Sequence, residues 1–168
     1  MERTLVICKP DAVQRSLVGE IITRFERAGL KIVGIKMLAP DYDHYFKHYE
    51  SIGTLKTRKG DKIFDSQMVT MLEGPVVAFI LEGVGAIDFV RKMVGPTEPN
   101  SALPGTIRGD YAHVTYGQAD AANRSVSNIV HASADAAEAQ QEITHWFAET
   151  ELYDYEAVHE KFTQPKKK

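Results

Sequence analysis

Three short apolar runs, each rich in β-branched residues, constrain most strongly how this chain can fold. They are TLVIC (4–8), LKIVGIKML (30–38) and GPVVAFILEG (74–83). Runs of this length and composition, bounded by turn-forming residues, are typical of buried β-strands. YAHVTYG (111–117) predicts a fourth strand, so the chain is expected to build its core on a sheet.

Helices are predicted between these strands and after the last one. The clearest has apolar residues at helical spacing over 18–28 and ends at Gly29. Further helices are predicted over 41–50, 61–73, 86–94 and 133–147. The last of them has Ser133 or Asp135 as its N-cap, and Glu138 lies three residues after Asp135, as in a capping box.

The alternation of strands and helices predicts an α+β protein with a βαββαβ sandwich. A doubly wound parallel sheet is the alternative, although the chain lacks the glycine fingerprint of dinucleotide-binding folds. No repeat and no linker divides the 168 residues, so we expect one domain over 1–168. Within it, 51–62 and 116–126 are predicted to be surface loops, and the basic tail 163–168 is predicted to fray.

The composition argues against several classes of protein. Hydrophobic residues make up 43% and charged residues 26% of the chain, as in ordinary globular proteins. A net charge of -3 provides no basic excess for nucleic acid, which is therefore not expected as a partner. Cys8 is the only cysteine, so an internal disulfide is impossible. The longest apolar run, 75–81, has the length of a strand, so we expect a cytoplasmic protein without a membrane partner.

A phosphate-binding site in this chain must be built from side chains, because the sequence contains no GxxxxGK[ST] loop and no HExxH or CxxC motif. Arginine offers forked donors to phosphate oxygens, lysine adds a point charge, and neutral histidine is a nucleophile near pH 7. The candidates of these kinds are Lys9, Arg91, Thr97, Arg108, Asn128 and His131. Each also has a structural interpretation, as a solvated surface residue or a capping group. The segment 96–110, with three of the seven prolines, predicts a functional loop.

Two further residues could complete such a site. Glu142 lies eleven residues after His131 on the predicted last helix and could orient the imidazole. Tyr49 could stack on a ligand or donate a hydrogen bond to it. The alternatives are an ordinary exposed glutamate and a tyrosine that packs at the edge of the domain.

The chain resembles the nucleoside diphosphate kinases over nearly its whole length. The resemblance is carried by four blocks in the family's order: ERTLVICKPDAVQRSLVGEIITRFERAGLKIVG (2–34), GPVVAFILEG (74–83), GPTEPNSALPGTIRGD (95–110) and NIVHAS (128–133). It implies a ferredoxin-like sandwich with a four-stranded antiparallel sheet covered by helices. It also implies transfer of the γ-phosphate of a nucleoside triphosphate to a nucleoside diphosphate, by a ping-pong mechanism through a phosphohistidine. Mg²⁺ is expected on the nucleotide phosphates rather than on protein ligands, and the assembly is expected to be a homo-oligomer, a hexamer rather than a tetramer.

The resemblance also assigns roles to individual residues. His131 matches the nucleophile, which attacks through Nδ1, and Ser133 and Glu142 match the pair that positions it. Lys9 matches a catalytic lysine near the sugar and phosphates. The matching nucleotide ligands are Tyr49, Arg91, Thr97 and Arg108 at the phosphates, Asn128 at the sugar, and Ile63 where an aromatic residue usually stacks on the base.

The sequence departs from the family pattern around the nucleophile and in two loops. The family's usual block is NxxHGSD, but here Ala132 replaces the glycine and Ala134 the aspartate, while Asp135 stands one position later. The predicted loops 51–62 and 116–126 are longer than usual, so Tyr116 is a second candidate for the base-stacking residue.

Two rival functions follow from these observations. A non-catalytic nucleotide-binding or scaffolding relative would be consistent with the loops and with Ala134, but it has no need of an intact nucleophile and its phosphate ligands. An RNA-binding module of the same architecture would require aromatic residues on the sheet surface and a basic face, which the charge disfavours. An active kinase is therefore the favoured interpretation.

Overall fold

The computed structural model describes residues 1–163 and contains one four-stranded sheet. Its strands are β1 (Glu2–Cys8), β2 (Lys31–Leu38), β3 (Val76–Gly83) and β4 (Val130–Ala132), in the order β2-β3-β1-β4. Every neighbouring pair is antiparallel. The α+β prediction is therefore confirmed and the parallel alternative is excluded. The predicted frayed tail, 163–168, lies outside the described residues except for Thr163.

The helices lie between the strands and after the last one. Those of the described residues are α1 (Pro10–Gln14), α2 (Val18–Arg27), α3 (Tyr42–Phe46), α4 (Leu55–Lys59), α5 (Asp61–Met71), α6 (Ala86–Val94), α7 (Ile107–Tyr111), α8 (Tyr116–Ala121), α9 (Ala136–Trp146) and α10 (Glu160–Thr163). A π-helical turn spans Lys47–Ile52, and 3-10 turns span Pro99–Ser101 and Glu149–Glu151. The strongly amphipathic pattern of α2 ends at Gly29, which adopts a positive φ of 87° that few other residues tolerate.

The core lies on both faces of the sheet, which explains why the strands are nearly continuous apolar runs. Val6 of β1 packs on one face with residues of α2 and α6. Ile7 packs on the other face with residues of α5 and α9. All eight residues of β3 are buried between these two layers. The sheet therefore holds the loops at its edges in fixed positions.

The predicted strand over 111–117 is wrong. Tyr111 ends α7, and the fourth strand is the three-residue β4, which contains His131. A strand of three residues is too short to give an apolar run in the sequence. It forms because it pairs with β1, where His131 lies opposite Ile7. The start of α8 has a sequence signal, Thr115 followed three residues later by Gln118. In the structure the Thr115 side chain accepts from the Gln118 amide as a helix cap.

The two predicted loops also contain helices. Residues 51–62 include the end of the π-helical turn and α4, and 116–126 includes α8. The Glu50 carboxylate accepts hydrogen bonds from the backbone amides of Lys56 at 2.7 Å and Thr57 at 3.2 Å, which satisfies the first turn of α4. The segment 51–62 is thus helical rather than an irregular loop.

Asp135, and not Ser133, is the N-cap of α9. Its carboxylate accepts from the backbone amide of Glu138 at 2.9 Å. The predicted capping box is incomplete, because the Glu138 carboxylate accepts from the amide of Ala134 at 3.0 Å rather than from that of Asp135.

Gly109 is a test of how tightly the segment before α7 is packed. A Cβ at this position would lie 2.1 Å from the carbonyl oxygen of Leu103, which is backbone and has no room to yield. We expect Gly109→Ala to lower the free energy of unfolding by at least about 2 kcal/mol. Gly19→Ala is the matched control, because nothing lies within 4 Å of its Cβ at an exposed position of α2, and it should raise stability by about 0.5 kcal/mol. Equal values for the two variants in urea unfolding would contradict this packing.

Candidate active site

A cavity of about 510 Å³ opens beside β4 and collects the residues that the sequence predicted. Its lining includes Lys9, Tyr49, Ile63, Arg91, Thr97, Arg108, Asn128, His131 and Glu142. Ser133 lies behind this wall and contacts Glu142. The structure therefore brings together all of the predicted site residues, although they come from separate helices, strands and loops along the chain.

His131 is held by a buried carboxylate on α9. Its Nε2 lies 2.7 Å from Glu142 Oε1, and the hydroxyl of Ser133 donates to Glu142 Oε2 at 2.6 Å. Glu142 is 1% exposed, so neither oxygen is left to water. Since the carboxylate is an acceptor, Nε2 of the imidazole carries the proton and Nδ1 keeps its lone pair. Nδ1 is then the ring nitrogen that can bond a ligand.

His48 packs edge-on against His131, with ring centroids 4.6 Å apart. No sequence pattern singled out His48, although it stands next to Tyr49. The indole of Trp146 donates to His48 Nδ1 at 3.2 Å. Burial, reinforced by neighbouring His131, lowers the pKa of His48 well below its usual range, so the ring stays neutral. Donor atoms of His48, His131 and Glu142 lie within 4.8 Å of one another, close enough to hold a metal ion.

Lys9 and Asn128 form a buried, hydrogen-bonded pair in the cavity wall, and Lys9 is the candidate phosphate ligand of the two. Lys9 follows β1, where Pro10 begins α1. Its Nζ donates to Asn128 Oδ1 at 2.7 Å, and Asn128 Nδ2 donates to the carbonyl of Thr97 at 2.9 Å. Burial, together with the charge of Arg108, lowers the pKa of Lys9 to about 8. An anion in the cavity would therefore stabilise a lysine charge that the protein alone stabilises poorly.

Arg108 joins the proline-rich segment to β4. Its guanidinium donates to the carbonyls of Asn128 at 3.2 Å, Gly95 at 2.8 Å and Val130 at 2.6 Å. Burial lowers its pKa to about 10, so it remains a cation at neutral pH. Three of its five N–H donors serve the backbone, which leaves two for a ligand. Arg91 reaches the cavity from α6 and is exposed.

Ile129 stores backbone strain between Asn128 and His131. Its φ of 56° is in the left-handed region, which a β-branched residue rarely adopts. Its amide donates to Asp11 Oδ2 at 3.2 Å, and its carbonyl accepts from the Lys9 amide at 2.9 Å. Asp11 therefore fixes the turn between Asn128 and His131, a role that no pattern in the sequence indicated.

Asp135 does not replace the carboxylate that is absent at Ala134. It is exposed and caps α9. Besides Glu142, the acidic group that lines the cavity near His131 is Glu138, four residues after Ala134. Burial, with the nearby charge of Glu142, raises the pKa of Glu138. The outer wall of the cavity includes the half-exposed Ile63 and Tyr116, the two candidates for base stacking.

An imidazole fixed by a buried glutamate, in a cavity with a lysine and two arginines and without a glycine-rich loop, defines a class of enzyme. Such a site can take a phosphoryl group onto histidine while cations stabilise the phosphate oxygens. The antiparallel α+β fold and this site together describe a histidine-dependent phosphotransferase.

Comparison with known proteins agrees with that class. The model of the family "Nucleoside diphosphate kinase" matches residues 2–152. The nucleoside diphosphate kinase of Pyrococcus furiosus is 44% identical over 167 residues, which cover 99% of this chain and 96% of that protein. The enzyme of Borreliella burgdorferi is 41% identical over 155 residues, 92% of each chain.

Solved structures agree as well. A transition-state mimic of the nucleoside-diphosphate kinase from Borrelia burgdorferi, with bound vanadate and ADP, superposes with a TM-score of 0.93 at 40% identity and covers 96% of both chains. An NDP kinase from Pyrobaculum aerophilum has a TM-score of 0.80 at 39% identity, covering 91% of this chain and 99% of that one.

The chain belongs to the nucleoside diphosphate kinase family. Its function is that of the family, transfer of the terminal phosphate of a nucleoside triphosphate to a nucleoside diphosphate. The non-catalytic and RNA-binding alternatives are accordingly disfavoured. Within residues 1–163, no helix is both long and apolar enough to span a membrane.

Because Lys9 is buried, we expect the free energy of unfolding to depend on pH through its titration. Below about pH 8 the folded and unfolded states both carry the proton, and burial of the charge is costly. Between about 8 and 10.5 the folded lysine is neutral while the unfolded one is still protonated, so the free energy of unfolding rises with pH. We expect wild type to gain stability relative to Lys9→Met as the pH is raised through this window.

Urea unfolding across that pH window measures the effect. Lys92→Met, on the exposed face of α6, is the matched control and should follow the wild-type profile. A difference between wild type and Lys9→Met that does not change with pH would contradict the lowered pKa.

Proposed function

We propose that this kinase works through a phosphohistidine on Nδ1 of His131. The observation that carries the proposal is the bond between Nε2 and the buried carboxylate of Glu142, which leaves Nδ1 as the free nitrogen. The Nδ1 lone pair forms a bond to the γ-phosphorus, the bond from that phosphorus to the β–γ bridging oxygen breaks, and the diphosphate leaves with the electron pair. The acceptor diphosphate then attacks the phosphohistidine in the reverse sense, which restores neutral His131.

Glu142 has a defined part in this scheme. When Nδ1 becomes phosphorylated, the ring gains positive charge, and the carboxylate at Nε2 stabilises it. Ser133, which donates to the other carboxylate oxygen at 2.6 Å, keeps Glu142 in place. The pair therefore positions His131 rather than contacting the phosphate.

The remaining predicted residues are proposed to bind the nucleotide. Lys9, Arg91, Thr97 and Arg108 take the phosphates and Asn128 the sugar, since all of them line the cavity. Tyr49, which is 8% exposed, is proposed to donate from its hydroxyl to a phosphate oxygen. Phosphoryl transfer needs mainly charge stabilisation and alignment, which this cationic set supplies.

Mg²⁺ is proposed as part of the substrate. The phosphate side of the cavity offers lysine, arginine and amide groups, whereas Mg²⁺ prefers carboxylate and water oxygens. The ion would therefore be held by the nucleotide phosphates and by water, and would neutralise part of their charge. Lys9 and Arg108 add protein charge to the same oxygens.

The base is proposed to lie at the outer wall, between Ile63 and Tyr116. Ile63 is 45% exposed and Tyr116 46%, so both have surface available to a planar ring. Contacts of this kind tolerate any base, so specificity would rest on the phosphates and sugar. A broad range of nucleotides is the consequence, in keeping with a cytoplasmic role in maintaining nucleotide pools.

The phosphohistidine is tested by labelling. Wild type incubated with γ-labelled ATP and Mg²⁺ should give an acid-labile, base-stable phosphoprotein whose label moves to GDP as GTP. His131→Ala should lose both steps, and His113→Ala, at an exposed histidine outside the cavity, should keep them. Labelling and transfer by His131→Ala would disprove the mechanism. Absence of label in wild type would favour the non-catalytic relative.

A homo-oligomer is proposed because β2 is an edge strand with exposed apolar residues. Ile35 is 51% exposed and Met37 61%. Tyr153 and Tyr155 donate to the carbonyls of Val33 and Ile32 on this strand, so the part of the edge proposed to pair with a second copy is 35–38. A closed hexamer needs a second contact surface, for which Leu103, 73% exposed, is the candidate.

Ile35→Lys with Met37→Lys should break the contact through β2. We expect wild type to have six times the chain mass of 18.7 kDa and the double variant to form smaller species, because the lysines place like charges across a symmetric edge. Light scattering measures both. Val69→Lys, 62% exposed on α5, is the control and should keep the wild-type mass. A double variant of unchanged mass would exclude β2 as an interface.

A further inference from the structure

Three polar side chains from separate parts of the chain form a hydrogen-bonded row along the cavity wall. The Ser125 hydroxyl, after α8, donates to Gln67 Oε1 at 2.7 Å. Gln67 Nε2, on α5, donates to the Tyr49 hydroxyl at 3.1 Å. All three line the cavity. The row therefore runs from the inserted segment to a predicted nucleotide ligand.

The row has a direction. Because Ser125 donates to the amide oxygen of Gln67, the amide nitrogen faces Tyr49 and the tyrosine oxygen is an acceptor. The proton of Tyr49 is then not used in this bond and is available to a group in the cavity. Burial, with nearby Tyr45, raises the pKa of Tyr49, so the hydroxyl stays protonated. Its ring lies 6.5 Å from that of His131, centroid to centroid.

Gln67 is an unusual choice for packing alone. It is 8% exposed and stands on the buried face of α5 beside Phe64 and Met68. A leucine at this place would fill the space without a polar group to satisfy, whereas a buried amide is costly unless it is hydrogen-bonded. The amide oxygen accepts from Ser125 and one amide N–H donates to Tyr49. These two bonds indicate that Gln67 orients the Tyr49 hydroxyl rather than only filling space in the core.

We propose that Gln67 is a positioning residue for phosphoryl transfer, which acts by turning the Tyr49 hydroxyl proton toward the phosphoryl group as it passes between the nucleotide and His131. The inference rests on the proposed phosphohistidine mechanism. Ser125 holds the amide in the required orientation, so the inserted segment 116–126 contributes to the site through this row. Gln67 itself need not touch the nucleotide.

Two variants of Gln67 test the direction of the bond. Gln67→Leu removes the donor and leaves the Tyr49 hydroxyl free to rotate, so the rate of His131 phosphorylation in a single turnover should fall roughly 3- to 10-fold. Gln67→Glu has nearly the same shape, but its carboxylate accepts the Tyr49 proton and withdraws it from the cavity, so the fall should be larger, on the order of tenfold or more. Nucleotide affinity, from a binding titration, should change much less than the rate.

A Tyr49→Phe background separates positioning from packing. Without the hydroxyl there is no proton to orient, so adding Gln67→Leu or Gln67→Glu should cause no further fall in the phosphorylation rate. Gln141→Glu, on the exposed face of α9, introduces the same carboxylate away from the cavity and should retain the wild-type rate. Ser125→Ala releases only the amide and should reduce the rate by roughly 2- to 3-fold, which provides a milder test if the carboxylate introduced by Gln67→Glu prevents folding.

The outcomes are distinct. Wild-type rates in Gln67→Leu and Ser125→Ala would overturn the positioning role, as would an equal loss with and without the Tyr49 hydroxyl. A fall that appears in affinity rather than rate would also overturn it and would make Gln67 a nucleotide ligand. Absence of any label in wild type would contradict the proposed mechanism instead.

Discussion

The buried carboxylate of Glu142 is the interaction on which the site depends. It joins α9 to β4 through His131 and Ser133, and the backbone amide of Leu5 donates to the Ser133 hydroxyl at 3.3 Å, which extends the link to β1. A carboxylate at 1% exposure is tolerated only where its oxygens have strong partners, and loss of one such hydrogen bond costs about 1.5–3 kcal/mol. The contacts that satisfy the buried Glu142 carboxylate are therefore the same contacts that hold the His131 ring in place.

The phosphate side of the cavity is organised around cations that the protein itself stabilises incompletely. Lys9 is buried with an amide oxygen as its nearest partner, and its pKa is lowered to about 8. Arg108 divides its donors between backbone carbonyls and the cavity. The strained turn at Ile129 lies between Asn128 and His131, with Val130 as the only other residue that separates them. An anionic ligand completes this arrangement, because it supplies a negative charge beside Lys9, whose hydrogen-bond partner is a neutral amide.

Prediction from the sequence succeeded where residues act in short local patterns or as members of the family's blocks. The three long strands and α2 follow from periodicity, and the ten predicted site residues meet in or behind one cavity. The fourth strand was misplaced because β4 has three residues and exists through its pairing with β1. His48, Asp11, Gln67 and Glu138 were missed because their roles come from contacts between distant segments. Only the cap of α8, Thr115 with Gln118, was a local signal that could have been used.

The sequence by itself determined the class of fold and the family and singled out His131 as the candidate nucleophile, because apolar periodicity and four ordered blocks are local properties of the chain. The resemblance implied Nδ1, but only the tertiary structure gave the physical reason, a carboxylate eleven residues away on another element that occupies Nε2. It also decided that Asp135 caps α9 while Glu138 faces the cavity, a difference set by helix geometry. The direction of the row from Ser125 through Gln67 to Tyr49 has the same origin, because hydrogen-bond partners are chosen by position in space and not by distance along the chain.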